Sequence, residues 1–71
     1  MKISLYVPNN ANIDDMRKFL RGELGESRRV KSKATRKSVQ SGLTKIMNNL
    51  RPGVSLLTDG NDIFVSEYDG I

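Results

Sequence analysis

The sequence predicts an α+β fold, a single small domain of order β-α-α-β-β in which a helical hairpin packs on a small sheet. Three observations carry this. Residues 2–7 alternate apolar and polar. Two stretches with helical apolar spacing follow, separated by a basic segment with little apolar content. Two short apolar runs then flank Asp59-Gly60-Asn61. Two helices covering one face of a sheet form the layered arrangement expected of such an order.

In the first strand Ile3, Leu5 and Val7 share one face, with Ser4 and Tyr6 on the other, the pattern of a half-buried strand. Pro8-Asn9-Asn10 ends it. Asn12 is placed to cap the first helix, and Asp14 and Asp15 fall in its first turn, where the helix dipole favours anions. Ile13, Met16, Leu20 and Leu24 recur at helical spacing with Phe19 beside them, so the helix is predicted over about Ile13 to Leu24, with Gly25 as a left-handed cap. Residues 26–34 contain only Val30 and Ala34 as apolar members and read as an exposed connection. Thr35 or a neighbour is expected to cap the second helix. Val39, Leu43, Ile46, Met47 and Leu50 form its apolar stripe, Ser41 and Gly42 weaken its middle, and Pro52-Gly53 stops it. Val54 to Thr58 and Ile63 to Tyr68 are predicted strands around an Asp-Gly-Asn turn, whose residues tolerate positive φ. Tyr6 and Tyr68 are expected to pack within the sheet rather than to stack on a ligand.

Composition narrows the function. At 71 residues the chain is one domain with a small core. It has neither Cys nor His, which removes disulfides, thiolate metal sites, the commonest zinc ligand and the commonest general base. Asp14 and Asp15 are consecutive on a helix and do not converge on one point. Asp59, Asp62, Glu67 and Asp69 read as solvated turn acids rather than a calcium loop, which would show regularly alternating ligands. No catalytic residue, metal or cofactor is therefore expected. No apolar run approaches the roughly 20 residues of a membrane span, and since Met1-Lys2 leads straight into the strand pattern no signal peptide is expected. A cytoplasmic setting and a monomer are expected.

Charge points to a partner. Net charge is +4, but from Arg28 to Arg51 there are eight Lys/Arg and no acid, whereas residues 52–71 hold four acids and no base. Six cations, Arg28, Arg29, Lys31, Lys33, Arg36 and Lys37, fall within ten positions at the junction of the two helices. Folding gains nothing from crowding like charges there. Phosphate groups relieve the repulsion through charge-assisted hydrogen bonds and counterion release. Ser32 and Thr35 add hydroxyls suited to phosphate, ribose or a base edge. Val30, apolar amid charges, is expected to tuck into the domain and anchor the loop. A lipid surface fits less well, because the apolar helix faces are needed for the core and Trp is absent.

Ser4-Leu5-Tyr6-Val7-Pro8, the helix ending Leu24-Gly25, and Val30-Lys31-Ser32-Lys33-Ala34-Thr35-Arg36-Lys37-Ser38-Val39 resemble the N-terminal, codon-recognition domain of archaeal and eukaryotic class-1 peptide-chain release factors. That family has a strand ending "SLxxPP" and a loop "NIKSxxxRxSV". Gly53 to Gly60 is similar to its next strand. The resemblance covers nearly all of residues 1–71. It implies an RNA- and ribosome-binding domain whose loop contacts mRNA and rRNA in the A site, with Lys31 and Ser32 at the codon and Val30 as anchor. Arg29 stands where the family has Asn. Its Gly-Thr-Ser element would fall upstream of the first strand, its Tyr-x-Cys-x-x-x-Phe element beyond Ile71, and its Gly-Gly-Gln hydrolysis loop on another domain. Within a longer chain a class-2 release-factor GTPase would be a further partner. The competing expectation is a small regulatory protein-interaction module that keeps the fold without decoding.

Overall fold

A computed structural model describes residues 2–67. The order is β1 (Ile3–Val7), α1 (Ile13–Glu26), a single 3₁₀ turn (Ser27–Arg29), α2 (Lys33–Asn48), β2 (Val54–Thr58) and β3 (Ile63–Glu67). The strands form one antiparallel sheet in the order β1-β2-β3, which makes β2 central. The predicted α+β domain is therefore the observed one, with the 3₁₀ turn added. Tyr68 and Asp69, assigned above to the return strand and the acidic end, lie outside the described residues.

The register follows from the period-2 pattern. Leu5, Leu56 and Val65 make one cross-strand row, and Ile3, Thr58 and Ile63 the next. This face meets α2, which runs across all three strands, while α1 packs onto α2. The core is Val7, Leu20, Leu43, Ile46, Leu50, Val54 and Leu56, so both helices and two of the strands supply it. Gly42, read from sequence as a weak point in the helix, has a packing role. A Cβ there would lie 3.1 Å from both Ile3 Cδ1 and Thr58 Cγ2, so its missing side chain lets α2 sit close to the sheet. Thr58 is fully buried, and its hydroxyl is satisfied on both sides. It donates to the Asp62 carbonyl at 2.7 Å and accepts from the Gly60 amide at 3.1 Å.

Two expectations are corrected. First, Gly25 is not a left-handed cap: α1 runs on to Glu26, and the described residues with positive φ are Gly53 and Gly60. The helix end is satisfied instead by Ser27, whose amide reaches Glu23 and Gly25 carbonyls and whose hydroxyl donates to the Leu24 carbonyl at 2.5 Å. Second, the cap of α2 is Ser32, not Thr35. Ser32 Oγ accepts from the Thr35 amide at 3.3 Å, so Lys33 to Lys37 belong to the first turns of a helix. Tyr6 keeps the side that the alternation assigns it, opposite Ile3, Leu5 and Val7. It lies on the sheet face turned away from the helices and is 61% exposed, with Leu57 and Phe64 on the same face.

Candidate nucleic-acid interface

The two helices run antiparallel past each other and meet at the 3₁₀ turn, so residues 27–37 form the tip of the hairpin. Ser27 is buried beneath it. Its carbonyl accepts the Val30 amide at 3.1 Å, closing the turn. Val30 is extended and half-buried. Lys31 and Ser32 then cross to α2, both exposed. The Arg36 amide returns to the Ser32 carbonyl at 2.8 Å, and its guanidinium Nη1 donates to the Val30 carbonyl at 3.3 Å.

These bonds sort the sequence-predicted residues into two groups. Arg28, Arg29, Lys31, Ser32, Lys33, Thr35 and Lys37 are exposed on the tip. Arg36 is half-buried and braces the loop from behind through Val30. Val30 is thus held from both sides, by its own amide and by its carbonyl. Arg29 pairs with Glu26 at 3.7 Å, one helical turn back, but both side chains are largely exposed, and such pairs add little. The Ser32 hydroxyl accepts the capping bond and keeps its proton free to donate outward.

The local electrostatics favour an anion. The tip contains the N-terminal end of α2, whose first amides carry a partial positive charge. α2 itself has Lys33, Arg36, Lys37 and Lys45 and no acid. Beneath Val30 a cavity of about 520 Å³ opens toward β1, with Leu5, Phe19 and Val39 among its apolar walls and Glu23 and Glu26 on its border. Sequence reasoning did not single out Phe19, Glu23 or Glu26 for a site. Phe19 lies off the helical stripe and is 64% exposed, which is the signal that was available.

The acidic β2–β3 turn does not form a second charged site of comparable density. Asp59 Oδ1 accepts from the Asp62 and Asn61 amides, each at 2.9 Å, and these bonds hold its carboxyl below the usual Asp range. Among the described residues no cluster of three or more His, Cys, Asp or Glu is arranged to hold a metal. No helix formed by them is long and apolar enough to cross a membrane.

Taken from its parts, this is a small α+β domain whose helical hairpin carries one cationic loop on a capped, hydrogen-bonded frame. Residues 1–67 match the family eRF1 domain 1, and the chain belongs to that family. It is 41% identical over 63 residues to peptide chain release factor subunit 1 of Methanobrevibacter smithii, covering 89% of this chain and 15% of that protein. It is 45% identical over 49 residues to the protein of the same name from Methanosphaera stadtmanae, covering 69% of this chain and 12% of the relative. The Methanocaldococcus jannaschii protein gives 43% over 49 residues, again 69% and 12%. The chain thus spans a small part of the relatives it matches. No solved structure matches it.

The bonding at the tip separates the braced Val30 from the exposed Lys31, and two variants distinguish them. Lys31→Ala removes an exposed side chain and is expected to change stability by less than about 0.5 kcal/mol while weakening RNA binding. Val30→Ala is expected to cost roughly 0.5–1.5 kcal/mol, because the side chain is only partly buried. Thermal melts and RNA titrations of both variants check this. An unchanged affinity for Lys31→Ala, with a melting loss equal to that of Val30→Ala, would make Lys31 a structural residue.

Proposed function

We propose that this domain binds RNA in the ribosomal A site, as the codon-reading part of a translation termination factor. The observation that carries the reading is the cationic tip, six Lys/Arg in residues 28–37, five of them exposed across the 3₁₀ turn, the connecting loop and the start of α2, with the loop braced by hydrogen bonds. Membership in the eRF1 domain 1 family and relatives named as peptide chain release factor subunit 1 support it.

In this reading Lys31 and Ser32, at the apex, face the codon. Arg28, Arg29, Lys33 and Lys37 take mRNA or rRNA phosphates, and Thr35 adds a hydroxyl contact. Val30 and Arg36 keep the apex in place. The domain acts by binding and positioning, without chemistry of its own. Its dense cluster is cationic and suited to phosphate, since Arg does not deprotonate. Hydrolysis of peptidyl-tRNA requires groups that position water and stabilise an oxyanion, which the tip does not supply. The partners are the ribosome and, in a longer chain, a class-2 release-factor GTPase. The domain works as a monomer in the cytoplasm.

The test is a termination reaction with purified ribosomes stalled at a stop codon, run with a complete release factor and increasing amounts of this chain. Competition should slow peptide release, and the chain alone should release nothing. Release by the chain alone would refute binding without chemistry. Undiminished release at large excess would remove the A-site reading and favour a protein-interaction module.

A further inference from the structure

A second cationic feature lies away from the tip. Between α1 and α2 there is a cleft of about 470 Å³ lined by Arg17, Arg21, Met47 and Asn48. Arg17 is half-buried and Arg21 exposed. The two are four residues apart on one helix, so their side chains rise from the same face. Neither guanidinium is in an ion pair or hydrogen bond with a described residue, since the pairs formed are Glu26–Arg29 and Arg51–Glu67. Asp14, one turn before Arg17, is not engaged either.

We propose that this cleft is a phosphate-binding site. Like charges at this spacing are mildly unfavourable in a helix, by a few tenths of a kcal/mol, and no acid of α2 relieves them. A phosphate between the two guanidinium forks would accept from both, with the Asn48 amide as a further donor. The arginines do not serve the end of α2. The Lys45, Ile46 and Met47 carbonyls are taken by Asn49 and Leu50, through the Asn49 amide to Ile46 at 3.1 Å, the Asn49 side chain to Lys45 at 2.8 Å, and the Leu50 amide to Met47 at 3.4 Å. The negative end of the α2 dipole, equivalent to about half a charge, opposes an anion here but is outweighed by two full positive charges.

The cleft is distinct from the tip. At roughly 1.5 Å per helical residue, Arg21 and Arg17 sit about 10 and 16 Å along α1 from Arg28. Two sources share the required chemistry, a phosphodiester of single-stranded RNA and free phosphate. A strand of about ten nucleotides, at roughly 3 Å each, is long enough to cover both tip and cleft.

The experiment follows the arginine Nε–H signals of the ¹⁵N-labelled chain by NMR. One arm adds inorganic phosphate at constant ionic strength, and the other adds a ten-nucleotide single-stranded RNA. Arg17 and Arg21 signals should shift and saturate. In the RNA arm, the double variant Arg17→Gln/Arg21→Gln should also reduce the log-log salt slope of binding by about 1.4, two contacts at roughly 0.7 each. Its thermal melt should match that of the parent. Shifts in the phosphate arm alone would identify a small-anion site. Static Arg17 and Arg21 signals in both arms would overturn the proposal, and the tip reading would stand if tip signals still moved with RNA. Tip signals static under RNA while the cleft signals move would remove the tip reading and leave the cleft.

Discussion

Ile46→Ala is expected to remove about half of the folding stability of this domain. Ile46 is fully buried on the face of α2 that meets the sheet, among Leu43, Val54, Leu56 and the other core residues. Truncating such a side chain typically costs about 2–5 kcal/mol, since transfer free energy is lost and the cavity collapses only partly. A 71-residue domain holds only about 4–10 kcal/mol in total, at roughly 0.05–0.15 kcal/mol per residue. The substitution therefore removes about half of the stability, and the melting temperature should fall by more than about 10 °C. Leu57→Ala is the control, because Leu57 is 41% exposed on the opposite sheet face and should cost far less. Urea unfolding of both variants measures the difference. Equal midpoints for the two would mean that α2 does not seat on the sheet through Ile46.

The strands and helices were legible because each is encoded locally. Alternation at Ile3, Leu5 and Val7 placed their side chains on the core face, where the structure has them half-buried or buried. The stripe from Val39 to Leu50 is the buried side of α2. Asp59-Gly60-Asn61 is the turn, with Gly60 at φ 96°. What the sequence did not disclose depends on residues far apart in the chain. Nothing local shows that a Cβ on Gly60 would clash with Ser38 Oγ, which ties the hairpin turn to the first half of α2. Nor is Gly42's approach to Ile3 and Thr58 visible without the sheet.

The two caps that differ from the local pattern share a cause. Glycine after an apolar residue reads as a left-handed stop, but Ser27 satisfies the same carbonyls with a side-chain hydroxyl and a 3₁₀ turn. Ser32 lies inside a run of cations, which points to a ligand contact, yet its Oγ also starts α2. The candidate site was legible as charge density, while its internal order was not. Arg36 looked like its neighbours in sequence, and only the fold brings its guanidinium to the Val30 carbonyl.

That distinction sets the expected salt dependence of RNA binding. Five tip cations are exposed, Arg28, Arg29, Lys31, Lys33 and Lys37, while Arg36 is half-buried and already bonded. Each contact with a single-strand phosphate contributes about −0.7 to the slope of log affinity against log salt. For a short single-stranded RNA confined to the tip, four to six contacts predict a slope of roughly −3 to −4, and five give about −3.5. Raising salt from about 50 to 200 mM should then weaken binding about 100-fold. Lys31→Ala should make the slope shallower by about 0.7. Arg36→Gln should leave it nearly unchanged and instead reduce affinity equally at all salt concentrations, because it loosens the loop without removing a phosphate contact. Fluorescence anisotropy titrations of the parent and both variants across this range measure all three slopes. A flat dependence for the parent would sink the phosphate-contact model of the tip. If Arg36→Gln instead flattens the slope as much as Lys31→Ala does, Arg36 leaves the Val30 carbonyl to meet RNA, and the brace is a feature of the unbound domain only.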